Sequence, residues 1–285
     1  MQVKVKVITR FAPSPTGPLH LGHAYSAIVA HDMARAAGGT FLLRIEDIDR
    51  QRAKPEWEAQ IYDDLRWLGI TWDGPVMRQS ERLNIYRQTL ESLWENGLIY
   101  SCTCSRRDVE AAASAPQEGA ALGPNGIIYP GTCRKIGAHH SGQSLPTTAL
   151  RLDMKRAATD CYFTEICDIY RGTYAITPAQ MIGTVGDIVL ARRDMGTSYH
   201  LSVVLDDAAQ GITHVTRGAD LFEATQIHVT LQKLLELPTP TYCHHKLIRD
   251  ETGKRLAKRD DARALSKYRA EGVTPADIRR MVGLG

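Results

Sequence analysis

The residues best suited to chemistry lie between Arg10 and His23, in the run Arg-Phe-Ala-Pro-Ser-Pro-Thr-Gly-Pro-Leu-His-Leu-Gly-His. Two histidines three apart, His20 and His23, flank Gly22 where a loop passes into a helix predicted over residues 21–37. A helix N-terminus offers unpaired backbone N–H groups and partial positive charge, a natural seat for phosphate. Glycine lets a ligand approach the backbone, and imidazoles add donors. Taken alone, a His-x-x-His pair is more often a helix cap, and zinc usually needs further ligands at matching spacing. The prolines and glycine ahead of the pair lift it above that background.

A second group lies near the C-terminus, where Lys246, Arg249, Lys254, Arg255, Lys258 and Arg259 follow a strand-like segment. Such a basic, glycine-containing loop suits a polyphosphate or an RNA backbone; alone it reads as a solvated surface. The third group is Cys102-x-Cys104 with Tyr129-x-x-x-Cys133, set in a polar stretch with little core of its own. Thiols so placed suit a structural metal, and a bound zinc would stabilise a loop-rich module. Cys161, Cys167 and Cys243 read as core or incidental.

These groups need a frame. Strand-like Val3, Val5, Val7 and Ile8 precede the first motif, and Thr40–Ile45 reads as a buried parallel strand ending at Glu46-Asp47. Helices are predicted over residues 54–68 and 81–96, the latter with Leu83, Tyr86, Leu90, Leu93 and Trp94 inward. After a polar insertion, strands return at 148–152, 162–166, 187–191, 213–217 and 241–248. Between and after them come helices at 178–185, 199–209, 221–235 and 262–270. The alternation predicts an α/β fold, a doubly wound parallel sheet whose ligands gather at the carboxyl ends of the strands. The expected organisation is 1–98 and 147–240 as the two halves of the catalytic domain, 99–146 as a zinc-binding insertion, and 241–285 as the basic loop with a short helical tail.

Composition sets the outer limits. At 285 residues, 43% hydrophobic and 24% charged, the chain has the make-up of an ordinary globular enzyme. A net charge of +3 does not by itself argue for nucleic acid. No signal-peptide pattern or long apolar run is visible, and six cysteines in such a length do not make a disulfide framework, so the expected compartment is the cytoplasm.

His20-Leu21-Gly22-His23 resembles the HIGH motif of class I aminoacyl-tRNA synthetases, and the Arg10–Gly17 lead-in resembles the glutamyl and glutaminyl branch. Residues 254–258 resemble the KMSKS loop, with Arg255 and Ala257 where the motif carries lysine and serine, and Lys258 at the second lysine. The resemblance implies a Rossmann-type catalytic domain that binds ATP with Mg²⁺ through His20, Gly22, His23, Arg255 and Lys258. Catalysis would fall to His20, His23 and Lys258, which surround the charge that builds when a carboxylate attacks the α-phosphorus. It also implies an L-glutamate pocket of Arg10, Ala12, Ser14, Glu46, Tyr199 and Arg217: two arginines and an acid against two carboxylates and an ammonium. Val203 stands where full-length glutamyl enzymes commonly carry asparagine.

The cysteine spacing resembles the zinc site of short paralogues of this branch, implying Cys102, Cys104, Cys133 and Tyr129 as ligands; His139 and His140 are the alternatives to Tyr129. Only 27 residues follow Lys258, and no anticodon-binding domain is expected. The short paralogues activate glutamate and transfer it to the queuosine base in the anticodon of tRNA(Asp), which is the function expected here, by a monomer. Two readings stand beside it: a discriminating or fragment-like glutamyl-tRNA synthetase charging the terminal adenosine, and a non-catalytic tRNA-binding paralogue.

Overall fold

The first strand already carries a site residue. In β1 (Ile8–Phe11), Thr9, Arg10 and Phe11 are all buried, as in a strand covered on both faces. The β-rich segment thus extends into the motif, and Arg10 sits on the sheet rather than on the loop that follows. The computed structural model describes residues 6–113, 122–124, 126–138, 142–248 and 263–285. From β1 the chain runs through α1 (Leu21–Ala36), β2 (Thr40–Ile45), α2 (Pro55–Trp67), β3 (Met77–Arg78), α3 (Leu83–Glu95) and β4 (Ile99–Cys102). Next come α4 (Arg106–Ala113), β5 (Leu122–Gly123), β6 (Gly126–Ile127), β7 (Ala149–Leu152), α5 (Met154–Ala157), β8 (Cys161–Glu165), β9 (Gly172–Ile176), α6 (Pro178–Gln180) and β10 (Val189–Ala191). The chain closes with α7 (Tyr199–Ala209), β11 (His214–Gly218), α8 (Thr225–Leu234), β12 (Thr241–His245), α9 (Leu265–Ala270) and α10 (Pro275–Met281).

β1, β2 and β3 pair in parallel, as do β11 and β12, with Arg217 opposite His244. β11 enters beside β1: the Ile8 N–H donates to Thr213 Oγ1 at 2.8 Å, and the Thr213 N–H to Ile8 O at 3.0 Å. The order β3-β2-β1-β11-β12 reverses between β1 and β11, the switch point where α/β sheets bind ligands. β8 joins β12, and β9 adds an antiparallel edge. Apolar faces cover both sides of this sheet. Tyr86, Leu90 and Trp94 of α3 pack in one core with Leu201, Ile227 and Tyr242, while α1, α2, α9 and α10 share another.

Three expectations are corrected. The segment 187–191 is not another parallel strand; β10 pairs antiparallel with β7, which pairs antiparallel with β4. The helix over 221–235 starts as a short 3₁₀ turn at Ala219–Leu221, and α8 proper opens only at Thr225. The helix over 178–185 is one short turn followed by a π-type turn, Met181–Val185, ended by Gly186 at φ 69°. Among the described residues no helix is long and apolar enough to cross a membrane.

Candidate active site

α1 begins at the first motif because its own histidines cap it. The Gly22 N–H donates to His20 Nδ1 at 3.1 Å, and the His20 N–H donates to His23 Nδ1 at 3.2 Å, a reciprocal box closed by imidazoles. Each ring accepts through Nδ1, so each carries its proton on Nε2. The pair therefore does both jobs weighed above: it caps the helix and keeps an N–H donor on each ring. Gly22 suits this packing, since a Cβ there would press on the His20 ring, 3.0 Å from its Cε1.

Behind the corner lies a buried charged floor. Arg10 makes a bidentate pair with Asp207 of α7, Nε at 2.9 Å and Nη2 at 3.2 Å. Arg44, fully buried, donates to the same carboxylate at 2.6 Å and to Glu46 Oε1 at 3.1 Å. Burial pushes the Asp207 carboxyl up, but the two guanidiniums outweigh it and hold it below the usual range. Glu46 goes the other way: burial dominates over Arg44 and Arg10, and its carboxyl is raised. Glu46 is thus an acid that gains from an incoming cation.

Arg217, at the carboxyl end of β11, is 6% exposed and among the described residues meets no carboxylate. Each of its three nitrogens is engaged once, with His244 Nε2 (3.0 Å), His228 Nδ1 (2.8 Å) and Thr225 Oγ1 (2.6 Å). Tyr199 opens α7 behind the Ser198 cap, its ring against His200 and His228.

These residues enclose one cavity of about 440 Å³. Arg10, Ala12, Ser14, His20, Gly22, His23, Glu46, Tyr199 and Arg217, all nominated from the sequence, line it together. Arg255 and Lys258 lie outside the described residues, as do His139 and His140. The wall reaches Ile248, the last residue described before the basic loop. Arg10, Arg217 and Lys246 line the cavity with Glu46 and Asp220, formally one more positive charge than negative. Free glutamate carries one net negative charge.

Sequence reasoning missed several participants. Ser26, Asp220 and His245 also line the cavity, beside Lys246 of the nominated basic group, and Ser26 Oγ lies 2.9 Å from His245 Nε2. The position of His244-His245 at the carboxyl end of a parallel strand was the available signal. Arg44 and Asp207 were missed too; two nominated arginines and one acid already implied a further buried counter-charge.

The cysteine motif forms a second cluster. Cys104 Sγ lies 3.4 Å from Cys133 Sγ and 3.4 Å from Tyr129 Oη, and Cys102 Sγ lies 3.5 Å from the same phenol. Tetrahedral zinc with Zn–S near 2.3 Å needs donors about 3.5–3.8 Å apart, so one ion fits the set. Burial opposes ionisation of Cys133, but hydrogen bonds from Tyr129 and the Thr103 N–H outweigh it and bring the thiol down to about 7. Arg151 lies over the Tyr129 ring, its Cζ 3.8 Å from the centroid, and donates to Cys102 Sγ at 3.3 Å. Arg134 ties the cluster to the body through Asp187 at 2.6 Å. Cys167 and Cys243, expected to be incidental, are instead joined as a disulfide between the end of β8 and β12.

Residues 6–284 match the family model described as tRNA synthetases class I (E and Q), catalytic domain. The chain is 74% identical over 278 residues to the glutamyl-Q tRNA(Asp) synthetase of Rhodobacter capsulatus, covering 98% of this chain and all of that protein. It is 44% identical to the one from Nocardia farcinica, covering 94% and 81%. Among solved structures, a glutamate tRNA ligase from Elizabethkingia meningosepticum in complex with its amino acid superposes with a TM-score of 0.74 at 30% identity. That match covers 98% of this chain and 61% of the ligase. The chain belongs to the class I tRNA synthetases of the glutamate and glutamine group.

Proposed function

We propose that this chain is a ligase that activates L-glutamate with ATP in the 440 Å³ cavity and transfers it to the queuosine base in the anticodon of tRNA(Asp). The observation that carries the proposal is the convergence of the nine nominated and described residues on one wall, in a chain 74% identical to a glutamyl-Q tRNA(Asp) synthetase over its whole length. Arg10 and Arg217 meet the two carboxylates of glutamate, and Glu46 meets the α-ammonium group. Tyr199, Ala12 and Ser14 complete the contact. His20 and His23 give Nε2–H donors to the phosphates of ATP, and Gly22 lets them approach the backbone at the start of α1.

An α-carboxylate oxygen of glutamate attacks the α-phosphorus, the bond to the pyrophosphate oxygen breaks, and glutamyl-adenylate forms. The two histidines, with Arg255 and Lys258 from the basic loop, balance the charge on the phosphates. Mg²⁺ bound with ATP would offset further negative charge on the phosphates. A hydroxyl of the queuosine ring then attacks the adenylate carbonyl and AMP leaves. No side chain acts as nucleophile. Cys102, Cys104, Cys133 and Tyr129 would hold a zinc ion in a structural role, tying together the loops that carry them. The expected setting is the cytoplasm, with the protein acting as a monomer.

ATP–pyrophosphate exchange with each amino acid in turn tests the activation half. Exchange that depends on glutamate is expected; exchange with none would favour a tRNA-binding paralogue without chemistry.

A further inference from the structure

Arg217 is held by acceptors that have no charge, and this dictates where protons sit around it. A guanidinium only donates, so the ring nitrogens it meets, His244 Nε2 and His228 Nδ1, must present lone pairs. The His244 proton is then on Nδ1, which points at Glu165 Oε2 from 2.5 Å. The other oxygen of Glu165 accepts from the backbone N–H groups of His244 (3.0 Å) and Cys167 (2.9 Å). The His228 proton is on Nε2, 3.0 Å from His200 Nδ1.

Glu165 is 1% exposed and lines neither the cavity nor any surface, yet it ends a chain of two hydrogen bonds that starts at the Arg217 guanidinium. We propose that Glu165 is a positioning residue for glutamate recognition: acting through His244, it fixes the tautomer and orientation that hold Arg217. The inference rests on the assignment of Arg217 to a glutamate carboxylate. Without the carboxylate, the His244 proton is free to move to Nε2, where it opposes the Nε–H of Arg217 and releases one of its three anchors. The frame around the pair is consistent with that task. Cys243 immediately precedes His244 and Cys167 follows Glu165 by two residues, so the disulfide ties together the two segments that carry anchor and imidazole. Burial and the Arg217 charge together hold His228 neutral; at His244 burial outweighs the opposing pull of Glu165, so both rings stay neutral, as the tautomer assignments require.

The test is glutamate-dependent ATP–pyrophosphate exchange on the full chain, with KM for glutamate, KM for ATP and kcat measured separately for Glu165→Gln and Arg217→Ala. Glu165→Gln is expected to raise KM for glutamate about tenfold while KM for ATP and kcat stay within about twofold. Unchanged KM for glutamate, or an equal loss in all three constants with a lowered melting temperature, overturns the positioning role. If Arg217→Ala itself leaves KM for glutamate unchanged, the assignment of Arg217 fails instead. A second measurement needs no variant. Ring-nitrogen NMR of the wild-type chain should find the His244 proton on Nδ1 between pH 6 and 8; a proton on Nε2 overturns the proposal.

Discussion

The glutamate cavity and the cysteine module hold polar atoms together by opposite means. Beneath the cavity, Asp207 of α7 lies between Arg10 and Arg44, which sit on strands with cores on both faces. The module has almost no core. Among the described residues only Tyr100, Cys102 and Tyr129 are buried in its cluster, and the atoms brought together are three thiols and a phenol. A site rooted in a sheet keeps its shape without its ligand. One rooted in loops draws its stability from the ligand it binds.

The sharpest way to break the comparison is to remove the shared counter-ion. Asp207→Ala leaves two buried guanidiniums without their common partner, a loss of about 3–5 kcal/mol in a chemical melt, together with loss of exchange. Wild-type stability in that variant would refute the floor described here. A lesion in the module should act differently. Chelation, or Cys102→Ser, is expected to release zinc and expose residues 99–146 to limited proteolysis, while glutamate-dependent exchange keeps most of its rate. Equal loss of exchange would mean that the module and cavity are not independent.

Gly22→Ala sharpens the phosphate corner. The added methyl meets the His20 ring at 3.0 Å, so exchange kcat should fall about tenfold with KM for glutamate little changed. Acid pH probes the buried imidazoles beside Arg217. Burial, then the charge of Arg217, lowers His200 from 6.5 to about 4, and His228 is held well below its usual range by the same two causes. Unfolded, both take up protons near pH 6.5; folded, they refuse them. The unfolded chain therefore binds more protons in this window, and stability falls as pH drops from about 6.5 towards 4, by up to about 1.4 kcal/mol per unit for each histidine. Chemical melts at pH 7 and pH 5 measure this slope, which His200→Gln should reduce.

Much of the site was legible because its chemistry is local. The histidine pair, the glycine between them and the prolines before them specify a loop-to-helix corner within a few residues, and α1 begins at Leu21 as expected. The bounds of α7 were legible too, through the apolar spacing after Ser198. What escaped is long-range. Nothing adjacent to Asp207 marks it as the partner of Arg10, 197 residues away, and Glu165 reads as any strand acid until β8 lies beside β12. The β4-β7-β10 sheet was hidden for the same reason: short strands do not reveal their partners or direction until they pair. Arg255 and Lys258, plain in the sequence, lie outside the described residues.

The central claim is the acceptor, and one paired assay addresses it directly. Labelled glutamate and ATP are supplied with tRNA(Asp) containing queuosine, tRNA(Asp) lacking it, and tRNA(Glu). Label should enter only the queuosine-containing tRNA(Asp). Equal labelling of tRNA(Asp) with and without queuosine, or labelling of tRNA(Glu) at its terminal adenosine, would contradict the proposed function.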